Sequence, residues 1–315
     1  LSVVTPGCDW ARMVEEAGQA CENAKQRGFN QVSRNRRRAA SHPATSPHSS
    51  DLIANFRKYA LQERLALHPQ PIMDISGPEP RLAKAEFLLR YIDGERATPL
   101  PAHTIETLEH FGLAAELDQL ASRQLLEWLS NNPATLARLE SVSLNLSARS
   151  IIDGHFINRL YSEVKNAHLP EGKLCFEITE TAAIENLEVA SEVIALFQDI
   201  GCKFSLDDFG SGLCSFGYLH TLHVDEVKID GRFTRDITRS FVSLEIVRAI
   251  QQVAKATGKK TVAEFVDAPE KLAVLQDIGV DYGQGWLFSP CITPEMLKQM
   301  LLAPGAIPAT AATTF

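Results

Sequence analysis

Apolar and polar positions alternate along the middle of the chain in an order that predicts successive strands and helices. Between about residues 68 and 290, short apolar runs are separated by longer amphipathic stretches, the pattern of repeated strand–helix units. The predicted strands are PIMDI, AKAEFLLR, SVSLNLS, LCFEIT, CKFSLDD, EVKID, KKTVAEF and VDYGQG. Eight such strands favour an α/β fold of the (β/α)8 barrel type, whose active sites lie at the C-terminal strand ends.

A doubly wound open sheet is the alternative fold for this pattern. Such a sheet normally carries a glycine-rich phosphate loop after one of its early strands. The sequence has no such loop at that place. We therefore favour the barrel.

The flanking segments have a different character from this central region. Residues 9–32 have helical spacing, and the stretch AASHPATSPHSS that follows has the composition of a linker. A further helix is predicted from Asp51 to about Leu67, and the low-complexity end PGAIPATAATTF is predicted to be disordered. We divide the chain into an N-terminal piece (1–33), a linker (34–50), the barrel (51–303) and a tail (304–315).

The charge of the chain argues against long nucleic acid as a partner. The first 50 residues carry a net charge of +3 and the other 265 carry −11, which together give −8. Binding to long nucleic acid depends on a positive surface, which so acidic a region does not offer. The basic run RNRRR at 34–38 is interpreted as part of a solvated linker or helix end.

Cysteine usage and hydropathy point to a cytoplasmic domain. The six cysteines are scattered without a Cys-x-x-Cys pair, which argues against a zinc ribbon or a disulfide framework and fits a reducing compartment. No apolar run approaches twenty residues, and the N-terminus shows no basic stretch followed by an apolar segment. A missing N-terminal region that anchors the full-length protein to a membrane stays compatible with this pattern.

Polar side chains stand at the ends of the later predicted strands. They are Asn145, Glu177, Asp207, Asp208, Lys228, Glu264 and Gln284, with Glu86 inside the second strand. Each one alone has an ordinary explanation as a surface or capping residue. Their repetition at equivalent places predicts that they converge at a barrel mouth, where clustered carboxylates are stable only with bound cations.

The stretch KFSLDDFGSG places Asp207 and Asp208 side by side where a strand ends. Adjacent carboxylates repel each other unless a cation or a proton separates them. All-oxygen ligands suit Mg²⁺ or Mn²⁺ better than zinc, and an aspartate that bridges two metal ions is usual where a phosphodiester is cleaved. For Lys228 two interpretations stay open: a salt bridge to a neighbouring acid, or a group that orients or deprotonates the attacking water.

Seven motifs occur in an order that resembles a known family. AEFLLR, LNLS, FEITE, LDDFGSG, VKID, VAEFVD and GQG have the order and approximate spacing seen in EAL-domain cyclic-di-GMP phosphodiesterases, over about residues 55–300. The piece ACENAKQRGFNQV is similar to the last helix and strand of a GGDEF domain. The resemblance implies a barrel with an antiparallel first strand, and an upstream GGDEF or sensor domain in the full-length protein.

The resemblance also implies the ligands of two divalent metal ions, Mg²⁺ or Mn²⁺. The positions that match ligands of the first ion are Glu86, Asn145, Glu177 and Asp207, and those that face the second are Asp207, Asp208 and Glu264.

Further positions match catalytic and substrate-contacting residues of the family. Lys228 matches the lysine that positions or deprotonates water, and Gln284 matches a glutamine near water and substrate. Glu180 matches the residue that steadies the loop after DDFG. Gln70 and Arg90 match contacts to the dinucleotide, and we assign Asp208 to the substrate side as well.

The resemblance implies hydrolysis of cyclic-di-GMP to linear pGpG. It also implies a cytoplasmic homodimer that assembles around the loop after DDFG. The alternative is a weak or inactive receptor that binds cyclic-di-GMP and acts through protein partners. Receptors of that kind typically lose several metal ligands, which this sequence retains. A pure protein-interaction domain is a third hypothesis, and the presence of Gln70 and Arg90 weighs against it.

Three departures from the family pattern carry expectations of their own. Phe87 replaces the alanine of the tripeptide that names the family, and we expect it to affect packing because it points away from Glu86. AEFVD replaces AEGVE, so that Asp267 is one methylene shorter than the usual glutamate. Leu213 and Cys214 change the loop, which bears on its role in activation and dimerisation.

Overall fold

The computed structural model describes residues 64–94, 96–100, 104–210 and 217–302. The predictions for the N-terminal piece, the linker and the tail lie outside these residues, as do Leu213 and Cys214. None of the described helices combines the length and the apolar character that crossing a membrane requires.

The described strands and helices alternate along most of the chain. The strands are β1 Leu65–Asp74, β2 Arg81–Asp93, β3 Arg96–Pro99, β4 Ser141–Asn145, β5 Leu174–Thr179, β6 Lys203–Phe209, β7 Glu226–Ile229, β8 Lys260–Ala263 and β9 Tyr282–Gln284. The helices are α1 Thr104–His110, α2 Ala114–Asn131, α3 Pro133–Arg138, α4 Ala148–Ile152, α5 Gly154–Ala167, α6 Glu180–Glu185, α7 Leu187–Gln198, α8 Tyr218–Thr221, α9 Gly231–Asp236, α10 Phe241–Ala256, α11 Pro269–Ile278 and α12 Pro294–Leu302.

Eight of the described strands close into a barrel. The order is β1-β9-β8-β7-β6-β5-β4-β2, and β2 pairs back with β1. Strand β1 runs antiparallel to both of its neighbours, whereas the other barrel strands pair in parallel. The predicted barrel with an antiparallel first strand is therefore confirmed, and the open sheet is excluded. Strand β3, which we did not predict, pairs antiparallel with the C-terminal end of β2.

The predicted helix from Asp51 to about Leu67 is wrong at its C-terminal end. Leu65 and Leu67 belong to β1, where buried residues alternate with partly exposed ones. This alternation has the period of a strand, and Pro69 and Pro71 would break a helix that continued further. Pairing of β1 with β2 begins at Leu65, so the strand satisfies its backbone groups from that residue onwards.

Strand β6 has an apolar outer face and a polar inner face. Phe204 and Leu206 of β6 are fully buried in the main hydrophobic cluster, which includes residues of the surrounding helices. They alternate with Ser205 and Asp207, which therefore face the opposite side of the strand. The hydrophobic effect thus holds the surrounding helices onto this strand, and its inward face carries polar side chains.

A buried ion pair occupies the barrel interior below the strand ends that bear the predicted site. Lys84 pairs with Glu226, and both are almost completely buried. The Lys84 ammonium also lies 3.5 Å from the centroid of the Tyr282 ring. Each of these three residues precedes a predicted site residue by two positions (Glu86, Lys228 and Gln284), so they form the next inward-facing layer of the barrel.

We expect Lys84→Met to lower the free energy of unfolding by about 3–5 kcal/mol, because it leaves the Glu226 carboxylate buried without its cation. Urea denaturation followed by circular dichroism measures this change. Lys260→Met is the matched control, since its ion pair with Asp281 is largely exposed on the lysine side and is expected to contribute about 0–1 kcal/mol. Equal losses in the two variants would contradict the prediction.

Candidate active site

The ammonium of Lys228 lies among four carboxylates at the C-terminal ends of the barrel strands. Its Nζ is 2.7 Å from Oε2 of Glu177 and 3.0 Å from Oε1 of Glu264. Oδ1 of Asp207 is 3.2 Å away, and Oε2 of Glu86 is 3.3 Å away. The structure thus brings together predicted residues from five different strands or strand ends. It also places Lys228 in salt bridges, which is one of the two interpretations that the sequence left open for this residue.

Two side-chain amides hold the carboxylate of Glu86. Asn145 Nδ2 donates to Oε1 at 2.6 Å, and Gln284 Nε2 donates to Oε2 at 2.8 Å. Gln284 Nε2 also lies 3.3 Å from Oε1 of Gln70 on β1. Because the side-chain nitrogen Nδ2 of Asn145 faces Glu86, the side-chain oxygen Oδ1 of Asn145 is left for another partner. Arg90 lies four residues further along β2, and its guanidinium donates to the carbonyl of Leu89.

Burial and mutual charge shift the pKa values of these groups. Burial raises the pKa of Glu177 well above its ordinary value, and the Glu86 carboxylate adds to this effect. Burial also raises the pKa of Glu264, to about 7. Burial alone would lower the pKa of Lys228, but the carboxylates of Asp207 and its neighbours together hold it well above its ordinary value. Lys228 is therefore charged in this arrangement.

Asp207 and Asp208 reach the same space because the strand is irregular there. Consecutive residues of a regular strand point to opposite faces, so one of the two carboxylates would be directed away from the barrel mouth. The pairing of β6 with β7 shifts between Leu206 and Phe209, and Asp208 has a φ of 54°. Carboxylate oxygens of Asp207, Asp208 and Glu264 consequently lie within 4.8 Å of one another.

Glu180 connects the two described flanks of the segment 211–216. This fully buried residue begins α6, directly after β5. Its Oε2 accepts a hydrogen bond from the backbone N–H of Gly210 at 2.7 Å, and its Oε1 accepts one from the hydroxyl of Tyr218. Glu180 thus holds residues on either side of the loop that follows DDFG.

Two of the departures from the family pattern have plain structural consequences. Phe87 is buried on the outer face of β2, with its ring centroid 4.8 Å from that of Trp128 in α2. The larger side chain fills the layer between barrel and helix and does not enter the site. Asp267 forms an ion pair with Lys271 one helical turn later, at 2.7 Å.

Asp118 supports the site but was not predicted from the sequence. The buried carboxylate of Asp118 in α2 accepts a hydrogen bond from the backbone N–H of Ser147 at 2.8 Å. It thereby fixes the turn that follows Asn145, and burial raises its pKa. A single aspartate within an amphipathic helix carries no sequence signal for this contact, because only the packing of α2 on β4 creates it.

The residues at the barrel mouth fit divalent metal ions. Four carboxylates, those of Glu86, Glu177, Asp207 and Glu264, contact one ammonium, and Asp208 adds a fifth beside Asp207 and Glu264. The buried Oε1 of Gln284 has no hydrogen-bond partner among the described residues. A donor set made of carboxylate and amide oxygens is the kind that Mg²⁺ and Mn²⁺ prefer.

A closed barrel with an acidic mouth defines the class of this domain, and comparison with known proteins defines the family. Residues 54–291 match the family model described as EAL domain. The chain therefore belongs to the EAL-domain family.

Curated relatives agree with this assignment. The chain is 35% identical over 277 residues to the cyclic di-GMP phosphodiesterase PdeB of Shewanella oneidensis, covering 87% of this chain and 32% of that protein. It is 33% identical over 210 residues to the cyclic di-GMP phosphodiesterase PdeA of Borreliella burgdorferi, covering 65% of this chain and 30% of that protein. The chain spans about a third of the length of these relatives.

Solved structures share the barrel. The EAL domain of FimX from Pseudomonas aeruginosa, bound to c-di-GMP, superposes with a TM-score of 0.65 at 26% identity, covering 76% of this chain and 96% of that one. The EAL domain of DcpA from Mycobacterium smegmatis gives a TM-score of 0.64 at 28% identity, covering 76% and 97%.

Proposed function

We propose that this chain hydrolyses cyclic-di-GMP to linear pGpG. The observation that carries the proposal is the cluster at the barrel mouth, where four carboxylates contact Lys228 and that of Asp208 lies beside Asp207 and Glu264. Relatives of the chain are named cyclic di-GMP phosphodiesterases, which supports the same substrate.

The acidic groups would hold two divalent ions, Mg²⁺ or Mn²⁺. Glu86, Asn145, Glu177 and Asp207 would hold one, and Asp207, Asp208 and Glu264 the other. Such ions, when bound, stabilise negative charge on phosphate oxygens and lower the pKa of water. Burying several carboxylates close together lowers the stability of the fold when no cations are bound. Bound metal ions would offset this loss of stability.

Lys228 and Gln284 act on the attacking water in this proposal. The Lys228 ammonium donates a hydrogen bond to the water and orients the water toward phosphorus. The buried Oε1 of Gln284 accepts a hydrogen bond from the same water. The water oxygen forms the new bond to phosphorus, the bond between phosphorus and the ribose 3′ oxygen breaks, and one proton of the water ends on that 3′ oxygen. Opening the ring at this one bond yields pGpG.

Other residues position the dinucleotide and the neighbouring loop. Gln70 lines a cavity of about 310 Å³ beside Glu86, Glu264 and Gln284. Arg90 and Asp208 complete the proposed substrate contacts, and a guanidinium suits phosphate oxygens because it offers paired donors. Glu180 steadies the loop through its bonds to Gly210 and Tyr218.

Assembly and context remain predictions. We propose a homodimer that assembles around the loop after DDFG. We also propose an upstream GGDEF or sensor region in a longer, cytoplasmic or membrane-anchored protein.

Incubation with cyclic-di-GMP and Mg²⁺ or Mn²⁺ tests the proposed function, with pGpG measured by liquid chromatography. We expect pGpG to form with either ion and its formation to stop when EDTA is added. Tight binding without turnover would favour the receptor alternative instead. Absence of both binding and turnover would favour the protein-interaction hypothesis.

A further inference from the structure

Phe265, directly after Glu264, has a backbone conformation that is unfavourable for its type. Its φ is 54°, in the left-handed region where a bulky side chain is rare and glycine is at ease. Burial does not compensate for this strain, because 49% of the residue is exposed. Strained residues of this kind cluster at ligand-binding and active sites.

The ring of Phe265 is held in place by helix α9. A Cβ atom added to Gly231 would lie 1.9 Å from Cδ2 of the ring, so the ring occupies space that only glycine leaves open. The guanidinium carbon of Arg235, one turn further along α9, lies 4.0 Å from the ring centroid. This distance is that of a cation–π contact. The ring therefore has a defined position although it is half exposed.

Backbone hydrogen bonds connect Phe265 to the segment that carries Trp286. Val266 N–H donates to the carbonyl of Gln284, and Leu287 N–H donates to the carbonyl of Val266, both at 3.0 Å. Phe265 directly precedes Val266 in the sequence, and Trp286 directly precedes Leu287, so both are adjacent to residues that form these hydrogen bonds. Both line the cavity beside Glu264, and 67% of Trp286 is exposed.

The cavity lining combines two kinds of side chain. Glu86, Glu264 and Gln284, near which we place the metal ions and the phosphodiester, are polar, as is Asp267. Phe265, Trp286 and Leu88 are apolar. A cyclic dinucleotide has the same division, because charged phosphates are joined to flat nucleobases. Aromatic side chains bind nucleobases through stacking of their faces.

We propose that the ring of Phe265 is a stacking surface for one nucleobase of the bound dinucleotide, next to Trp286. This inference rests on the proposed function. Phe265 is a substrate-positioning residue in this scheme, and it takes no part in the transfer of protons or phosphate. The aromatic ring explains why the chain carries phenylalanine where glycine would be free of strain.

Steady-state kinetics of Phe265→Leu and Phe265→Tyr test this role. We expect Phe265→Leu to raise KM for cyclic-di-GMP by about fivefold or more, since stacking on one aromatic ring corresponds to at least that change in binding. The kcat is expected to stay unchanged, because stacking contributes equally to the ground state and the transition state. Phe265→Tyr retains the ring and is expected to keep the original KM.

Phe241→Leu is the matched control, because Phe241 is an exposed phenylalanine of α10 that does not line the cavity. Mn²⁺ affinity, measured by calorimetry without nucleotide, shows whether the neighbouring Glu264 is disturbed. An unchanged KM in Phe265→Leu, or a loss of kcat together with Mn²⁺ affinity, would overturn the stacking role while the proposed function stands. Absence of turnover in the unmodified protein would instead reject the proposed function, and the stacking inference with it.

Discussion

Glu86→Gln is expected to lower kcat for cyclic-di-GMP by about 10²- to 10³-fold, the loss typical of removing one group that stabilises charge at a reacting centre. Glu86 is in contact with Lys228, Asn145 and Gln284 at once, so its negative charge organises the whole cluster. Glutamine has nearly the same shape, and the change therefore removes charge without leaving a cavity. Chromatographic measurement of pGpG formation at saturating substrate gives the change in kcat.

Glu245→Gln provides the control for this variant. Glu245 lies on α10 with a partly exposed carboxylate that pairs with Arg248 on the same helix, and we expect its kcat to be unchanged. Thermal unfolding followed by circular dichroism shows whether each variant is folded. Full activity of a folded Glu86→Gln protein would show that the assignment of Glu86 as a metal ligand is wrong.

Lys228→Met is expected to affect activity and stability together. It removes the ammonium from four carboxylates, and leaving such groups buried without a cation lowers the free energy of unfolding by about 3–5 kcal/mol in the absence of metal. Because a divalent cation supplies the missing positive charge, Mn²⁺ is expected to raise the melting temperature of this variant more than that of the unmodified protein. Turnover is expected to fall by at least about 10²-fold, since Lys228 orients the attacking water in the proposed mechanism.

Lys84→Met is the control that separates the two effects. Lys84 is also a buried lysine in an ion pair, but its partner Glu226 lies in the layer below the site. We expect a similar loss of stability, retained kcat and a normal response to Mn²⁺. Equal stabilisation of both variants by Mn²⁺ would contradict the proposal that the carboxylates around Lys228 bind cations.

The strand–helix pattern was sufficient to predict the barrel, because each strand leaves a local trace in the sequence. Phe204 and Leu206 face the helices while Ser205 and Asp207 face inward, and this alternation can be read along one segment alone. The strand ends could be located in the same way. Residues at those ends converge whenever a barrel closes, so the acidic cluster around Lys228 followed from the fold class.

Element boundaries were predicted less well, since they depend on partners distant in the sequence. Leu65–Leu67 resemble the end of a helix when read locally, yet they form the start of β1 because β2 supplies hydrogen bonds to them. Strand β3 is likewise stabilised by its pairing with β2, and its four exposed residues leave no apolar pattern.

By itself, the sequence determined the class of fold, the inward and outward faces of the strands and the donors available at their ends, because these depend on the local period of side chains. Only the tertiary structure decided how Asp208 joins Asp207, since the shift between β6 and β7 turns its backbone. It also decided that Glu180 spans Gly210 and Tyr218, and that Phe265 lies over Gly231 at the cavity. Such contacts join segments far apart in the chain, and only the packing of those segments specifies them.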